Sequence, residues 1–237
     1  MKITNTLAAT AIAFFAAGIG AQAATLSGTF DVRVVNFAYS TNQSSSVAIA
    51  SQSNFDTRFD AATDGVDRDV FTYTGELNFF IDNLGPVNGD AESIADFFLH
   101  NTTGLPIGLV QDLDATVGAL QLSKPTFKTT TLFEFTEVYS NAFDTRVTHD
   151  DGFTIYDDGA TLVSFANPTG IRTTPRTGTI AFTGGEFKLV YAAANGNPSQ
   201  LLVEGAGVPA VPLPASSLLL LGGLGAFAAM RRKKAQK

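Results

Sequence analysis

The stretch Phe143-Asp144-Thr145-Arg146-Val147-Thr148-His149-Asp150-Asp151-Gly152-Phe153-Thr154-Ile155-Tyr156-Asp157-Asp158-Gly159-Ala160-Thr161-Leu162-Val163 decides the fold class. It reads as strand, acidic turn, strand, acidic turn, strand: β-branched and aromatic residues fill the runs, and Asp-Asp-Gly closes each one. A glycine at the end of such a turn takes a positive φ without cost, so each Asp-Asp-Gly is expected to fold the chain back on itself. Outward from there the same residue types recur at Thr130–Tyr139, Gly178–Phe182, Phe187–Tyr191 and Leu201–Glu204, separated by Gly, Asn and Asp.

Upstream, Leu26–Ala38 alternates with Phe30, Val32 and Val34 on one side, and Val70–Ile81 alternates on either side of Gly75. Residues 41–54 read as a polar loop around a short Val47–Ala50 strand. A short helix is expected, with Asp90-Ala91-Glu92-Ser93 capping the start of Ile94–Leu99, and a strand ending at His100-Asn101 is the other reading of the same stretch. Short strands at this spacing predict an all-β, antiparallel β-sandwich, jelly-roll-like, over residues 24–205.

Both ends carry another kind of signal. Lys2 precedes an apolar run from Leu7 to Ile19 that closes in Ala21-Gln22-Ala23, which predicts a secretory signal helix over residues 1–23 with cleavage before Ala24. At the other end Val203–Val211 reads as a small-residue linker from the domain to its anchor, and residues 206–214 are assigned as linker and sorting motif. Ala215–Met230 is 16 residues without a charge, close to the length of a single transmembrane helix. The basic tail 231–237, beginning Arg231-Arg232-Lys233-Lys234, is expected to stay cytoplasmic, which leaves the domain outside.

Val211-Pro212-Leu213-Pro214, an apolar helix and a terminal basic cluster together resemble the PEP-CTERM sorting signal. The family's usual motif is Val-Pro-Glu-Pro; Leu213 stands at its glutamate, and a Val-Pro-Leu-Pro-Ala form, matched here through Ala215, is a variant of it. The resemblance implies the export machinery and an exosortase-type membrane enzyme as partners, with the helix inserted in the inner membrane before processing. A retained single-span anchor is the other reading of the same segment.

Residues 131–205 resemble the second half of the protective-antigen-type β-sandwich found in adhesins, toxins and carbohydrate-active enzymes. The markers are a strand running into Asp150-Asp151-Gly152, an aromatic strand, the turn at Gly159, and the Tyr191 strand before a Gly/Asn loop. In lectin members such as flocculin-type adhesins the Asp-Asp pair binds Ca²⁺, which binds sugar hydroxyls; the matching positions are Asp150 and Asp151. That family carries an Asn soon after the Tyr strand, where this chain has Ala192, Ala193 and Ala194, with Asn195 and Asn197 following. Two readings of the pair stay open: ligation of Ca²⁺, or a turn that shapes a hairpin.

Composition excludes other classes. All 22 acidic residues lie between the end signals and six of the 15 basic ones lie within them, so nine bases face 22 acids, a net charge of −13. Such a surface repels phosphate backbones, so nucleic acid is not an expected partner. The absence of cysteine rules out disulfides and thiol chemistry, and 17 of the 20 Phe residues, those between the end signals, are left to build the core. No Ser lies in a Gly-x-Ser-x-Gly context to use His149. His100 and His149 are too few for zinc, and nothing in the sequence sets Glu134 and Glu137 across a cleft. Asp60, Asp64, Asp67 and Asp69 lack the spacing of a calcium loop. The expectation is a non-catalytic surface or extracellular matrix protein, of the kind found in biofilm, with possible carbohydrate binding to extracellular polysaccharide. A calcium-dependent adhesin is the alternative, and a polysaccharide hydrolase the third reading.

Overall fold

Alternation along one long strand sets the plan of the molecule, whose computed structural model describes residues 24–81, 92–101 and 108–206. In chain order the elements are β1 (Ala24–Thr25), β2 (Ser27–Ala38), α1 (Gln52–Ala61), β3 (Arg68–Glu76), β4 (Asn78–Ile81), α2 (Ile94–Phe97), β5 (Gly108–Gln111) and α3 (Ala115–Gly118). They continue with β6 (Thr129–Tyr139), β7 (Phe143–Asp150), β8 (Phe153–Asp157), β9 (Ala160–Phe165), β10 (Arg172–Thr174), β11 (Ile180–Phe182), β12 (Gly185–Ala194) and β13 (Ser199–Ala206). On β2, Phe30, Val32 and Val34 point into the main core and are fully buried, as period-2 geometry requires.

Two antiparallel sheets result. One runs β5-β3-β2-β6-β12-β8-β9; the other runs β1-β13-β7-β10, with β4 also on β13 and β11 also on β7. The fold is therefore a β-sandwich. Its interior is a continuous aromatic cluster: Phe97 packs against both Phe133 (5.2 Å between ring centroids) and Tyr191 (5.7 Å), which also meet each other, and Phe79 contacts Phe98 and Phe135. Such rings bury the most apolar area per residue available to a chain with no disulfides.

The central strands of the larger sheet are covered on both faces. Val35, Leu132, Val190 and Ala192 point outward, away from the main core, and pack under α1 through Phe55 and Phe59. Helix α1 is polar apart from these two rings, spaced i, i+4, and its N-cap Ser51 accepts the Asn54 amide. Arg33 lies over both rings, at 5.0 and 4.2 Å, and reaches the buried Glu134 at 3.0 Å.

Several expectations change. The short strand expected at Val47–Ala50 is replaced by a 3-10 turn, Ser45–Ala48, and the polar residues after it form α1. The helix expected at Ile94–Leu99 is present as Ile94–Phe97, with Ser93 and Asp96 completing a capping box. Val203–Ala206 is not linker but the end of β13, where Val203 is fully buried and Gly205 pairs with Ala24. Among the described residues no helix is long and apolar enough to cross a membrane. The expected signal segment with Ala21 and Ala23, the motif Val211–Pro214, the segment 215–230 and the tail 231–237 lie outside the described residues.

The aromatic cluster makes a quantitative expectation. Phe97→Ala should cost about 3–5 kcal/mol in urea unfolding, the range for a buried Phe truncated in a packed core. Val138→Ala, at a side chain 70% exposed, should stay within about 0.5 kcal/mol.

Candidate functional site

The two Asp-Asp-Gly motifs do different jobs, and glycine geometry separates them. Asp158 and Gly159 both have positive φ (46° and 78°) and join β8 to β9 as a two-residue hairpin. Gly152 is absent from the positive-φ glycines. It is needed because a Cβ there would sit 2.2 Å from the Ala166 carbonyl oxygen. The strands on its two sides belong to different sheets: β7 pairs with β13, β8 with β12. Asp150-Asp151-Gly152 is thus not a hairpin turn but a corner at which the chain leaves one sheet for the other.

Two more corners meet it. The chain crosses back between sheets from β12 to β13 through Asn195–Pro198, and from β9 to β10 through Ala166–Ile171. The three corners line a cavity of about 410 Å³ walled by Asp150, Asp151, Thr169, Asn195, Asn197 and Phe127, among others. All four residues singled out in sequence as ligands line this cavity. The Asp150–Asp151 peptide bond is cis.

Both carboxylates are nearly closed off from water, Asp150 at 6% and Asp151 at 4% exposure. Asp151 Oδ2 accepts the Ala194 amide at 2.8 Å, and the corner is tied to β12 of the larger sheet: the Asp151 amide donates to the Ala192 carbonyl, and the Tyr191 hydroxyl donates to the Asp150 carbonyl. None of the ion pairs among the described residues includes either Asp. Burial therefore dominates, pushing the Asp150 carboxyl up to about 6 against the Ile171 amide. For Asp151, burial and then repulsion from Asp150 push it up to about 8, against the amides of Ala194 and Thr169.

His149 lies under the corner with both ring nitrogens engaged. Nδ1 donates to the Asp151 carbonyl (2.5 Å), so Nε2 accepts from the Thr174 hydroxyl (2.9 Å). Burial lowers its pKa, which keeps the ring neutral. It is a structural histidine with no nitrogen left for a nucleophile. His100 follows α2, its Nδ1 hydrogen-bonded to the Asp96 carbonyl. Glu134 and Glu137, three apart on β6, fall on opposite faces: Glu134 pairs with Arg33 under α1, while Glu137 accepts the Thr29 amide. They do not flank one cleft. The acidic group at 60–69 uses its oxygens locally, Asp67 on the Thr63 amide and Asp69 on the Asp114 amide.

The donors at the corner are all oxygens: two carboxylates and, on the neighbouring loop, the amide groups of Asn195 and Asn197. Among the described residues no three His, Cys, Asp or Glu side chains converge, so any cation held here takes amide and backbone oxygens as well. That set fits a hard cation such as Ca²⁺ rather than zinc. Sequence reading missed the third corner, whose Thr169 and Ile171 amides hold the carboxylates, and it missed Phe127. The turn cluster Asn167-Pro168-Thr169-Gly170 was the available signal.

No family model and no curated protein matches the chain. Among solved structures it is similar to a PA14 sugar-binding domain from an RTX adhesin, at 17% identity and a TM-score of 0.46, covering 74% of this chain and 89% of that one. It is also similar to the PA14 domain of the MpAFP antifreeze protein, at 11% identity and a TM-score of 0.42, covering 80% and 89%. A third likeness, to a GH31 alpha-xylosidase from Xanthomonas citri, is at 10% identity and a TM-score of 0.28, with 78% of this chain and 22% of that one covered.

The raised carboxyls give a pH dependence of definite sign. A carboxyl whose folded pKa exceeds its unfolded value near 3.9 stabilises the fold below that value and loses the contribution as pH rises through the folded pKa. In EDTA, stability should therefore rise on acidification from about pH 8.5 to about 5.5, by at most about 1.4 kcal/mol per pH unit per proton, and Tm with it. Asp151→Asn should remove most of that slope, as read from melts across the range.

Proposed function

We propose that this chain is an exported, non-catalytic surface or extracellular protein whose β-sandwich binds glycan through a divalent cation held at Asp150 and Asp151. One observation carries the reading. Two adjacent carboxylates, buried and without any cationic side chain as partner, form the floor of an open cavity between three loop corners. Burying one ionised carboxylate is costly and burying two in contact more so, unless a positive charge compensates. Asp150 and Asp151 would hold the cation, with Asn195 and Asn197 on the adjoining loop as further oxygen donors. Asn195 Oδ1 accepts the Thr126 amide at 3.0 Å, and an amide oxygen has a second lone pair to give. Bound calcium offers its remaining coordination positions to sugar hydroxyls. The separated glutamates and the fully engaged His149 support a binding role over hydrolysis.

Export rests on the ends of the sequence: the signal-like residues 1–23, and the Val211–Pro214 motif before an apolar segment and a basic tail. In this reading the chain belongs with protective-antigen-type sandwiches that carry a PEP-CTERM-like signal, is processed by an exosortase-type enzyme, and meets extracellular polysaccharide. Intact mass of the protein recovered outside the cells that make it should correspond to a chain beginning at Ala24 and lacking the basic tail. A retained tail would make the C-terminal segment a permanent anchor.

The cation is tested by melting the protein in EDTA and then in millimolar Ca²⁺. A ligand bound only by the folded state stabilises it by about 2.7 kcal/mol at a hundredfold excess over Kd. The expected result is a calcium-dependent rise in Tm that disappears in Asp150→Ala/Asp151→Ala, together with calcium-dependent retention on a glycan array. No shift in Tm and no retained glycan would sink the proposal.

A further inference from the structure

The cavity has one wall that the cation does not explain. Phe127 lines it beside Ser45, half-buried, yet the ring belongs to neither hydrophobic cluster and stacks on no other aromatic among the described residues. In a chain that buries most of its phenylalanines in one cluster, this side chain is placed for another purpose.

Its position is specified by the backbone. Thr126 and Phe127 both have positive φ, 59° and 55°, a conformation rare for any residue with a Cβ and an outlier for a bulky one. The turn is held by the two loops beside it. The Thr126 amide donates to Asn195 Oδ1 (3.0 Å), its hydroxyl donates to Asn42 Oδ1 (2.9 Å), and the Gln43 amide donates to its carbonyl (3.0 Å). Gly196 fits tightly against the same turn, since a Cβ there would come within 3.1 Å of Pro125. Asn195 thus ties the aromatic wall to the loop that begins beside Ala194, whose amide holds Asp151.

We propose that Phe127 sets the ligand class of this cleft: it is the platform on which the C–H face of a pyranose ring lies while the ring's hydroxyls face Asp150 and Asp151. The proposal rests on the glycan-binding reading above and extends it from sugars in general to cyclic ones. An aromatic face is electron-rich, and the C–H groups of a sugar ring, polarised by neighbouring oxygens, meet it favourably. A rigid ring presents several such C–H groups at once, whereas an open-chain polyol with the same vicinal hydroxyls presents no fixed face. A cavity of about 410 Å³ is at the small end of ligand sites, suited to one or two rings rather than a long chain.

The test is calorimetric titration of the full protein, in Ca²⁺ and in EDTA, with the methyl pyranosides of galactose, glucose and mannose and with galactitol. Wild type, Phe127→Ala, Phe127→Leu and Phe127→Tyr are compared. The proposal expects at least one pyranoside to bind, galactitol to bind at least about tenfold more weakly, and Phe127→Ala and Phe127→Leu to lose roughly tenfold in affinity. Phe127→Tyr, which keeps the aromatic face, should restore binding to within about threefold of wild type, and the calcium shift in Tm should be the same in all four proteins. Wild-type affinity in Phe127→Ala or Phe127→Leu, or equal binding of galactitol, would overturn it. Phe127-dependent binding that persists in EDTA would remove the cation and leave the platform standing. Failure of every pyranoside to bind wild type would overturn both.

Discussion

The burial of two neighbouring carboxylates at a sheet-to-sheet corner is the constraint around which this end of the molecule is arranged. Asp150 is still in register opposite Gln200 on β13, while the residue two further on already hydrogen-bonds to β12 in the other sheet. Closing the sandwich at that point leaves little room. Gly152 passes so near the Ala166 carbonyl that no side chain fits, and this brings the β9–β10 connection over the carboxylates, where its amides can reach them. The Tyr191 hydroxyl reaches the Asp150 carbonyl from inside, and the same ring stacks on Phe97. The aromatic core and the polar corner are thereby one construction, and a shift in either must move the other.

How this protein treats a buried acid elsewhere gives the corner its meaning. Glu134 is as enclosed as Asp151, at 3% exposure, but it has the Arg33 guanidinium at 3.0 Å and the Gln52 amide beside it. That is the usual solution, a buried charge paired and hydrogen-bonded. At Asp150 and Asp151 the same chain supplies amide hydrogens and no cation, although Arg172 is close enough to depress the neighbouring His149. The compensation is left to protonation or to an ion from outside, and each alternative has a measurable signature in stability.

Much of the fold was legible because burial imprints itself on alternation. Phe30, Val32 and Val34 announced the inner face of β2, and the runs from Thr130 onward appear as strands with ends shifted by a few residues. What local pattern could not convey was sheet membership. Asp150-Asp151-Gly152 and Asp157-Asp158-Gly159 look alike in sequence, but one is a corner and the other a hairpin. The difference lies in the sign of φ at Asp158 and Gly159 and in the approach of a distant carbonyl to Gly152. Helix α1 escaped for a related reason: two phenylalanines four apart in a polar run are too faint an amphipathic signal, and the helix forms because the outer face of β2, β6 and β12 needs a cover. At the site, the Asp pair and the two asparagines were visible through resemblance, whereas Thr169 and Phe127 reach the cavity, and the Ile171 amide reaches Asp150, only through tertiary packing.

Acidic residues are abundant here, so their number cannot be what defines a site. The group at 60–69 is richer in carboxylates than the corner, but three of its four have local partners: Asp67 closes its own loop, Asp69 holds Asp114, and Asp64 faces Arg68 at 3.9 Å. They are also more exposed, and water already solvates whatever charge remains. A net charge of −13 between the end signals draws divalent ions toward the whole surface, but at physiological ionic strength that attraction fades over roughly 8 Å. Selection among acidic positions must then come from what each one gains on neutralisation. Only where solvent is excluded and no side chain answers the charge is that gain large, and among the residues singled out in sequence this describes Asp150 and Asp151.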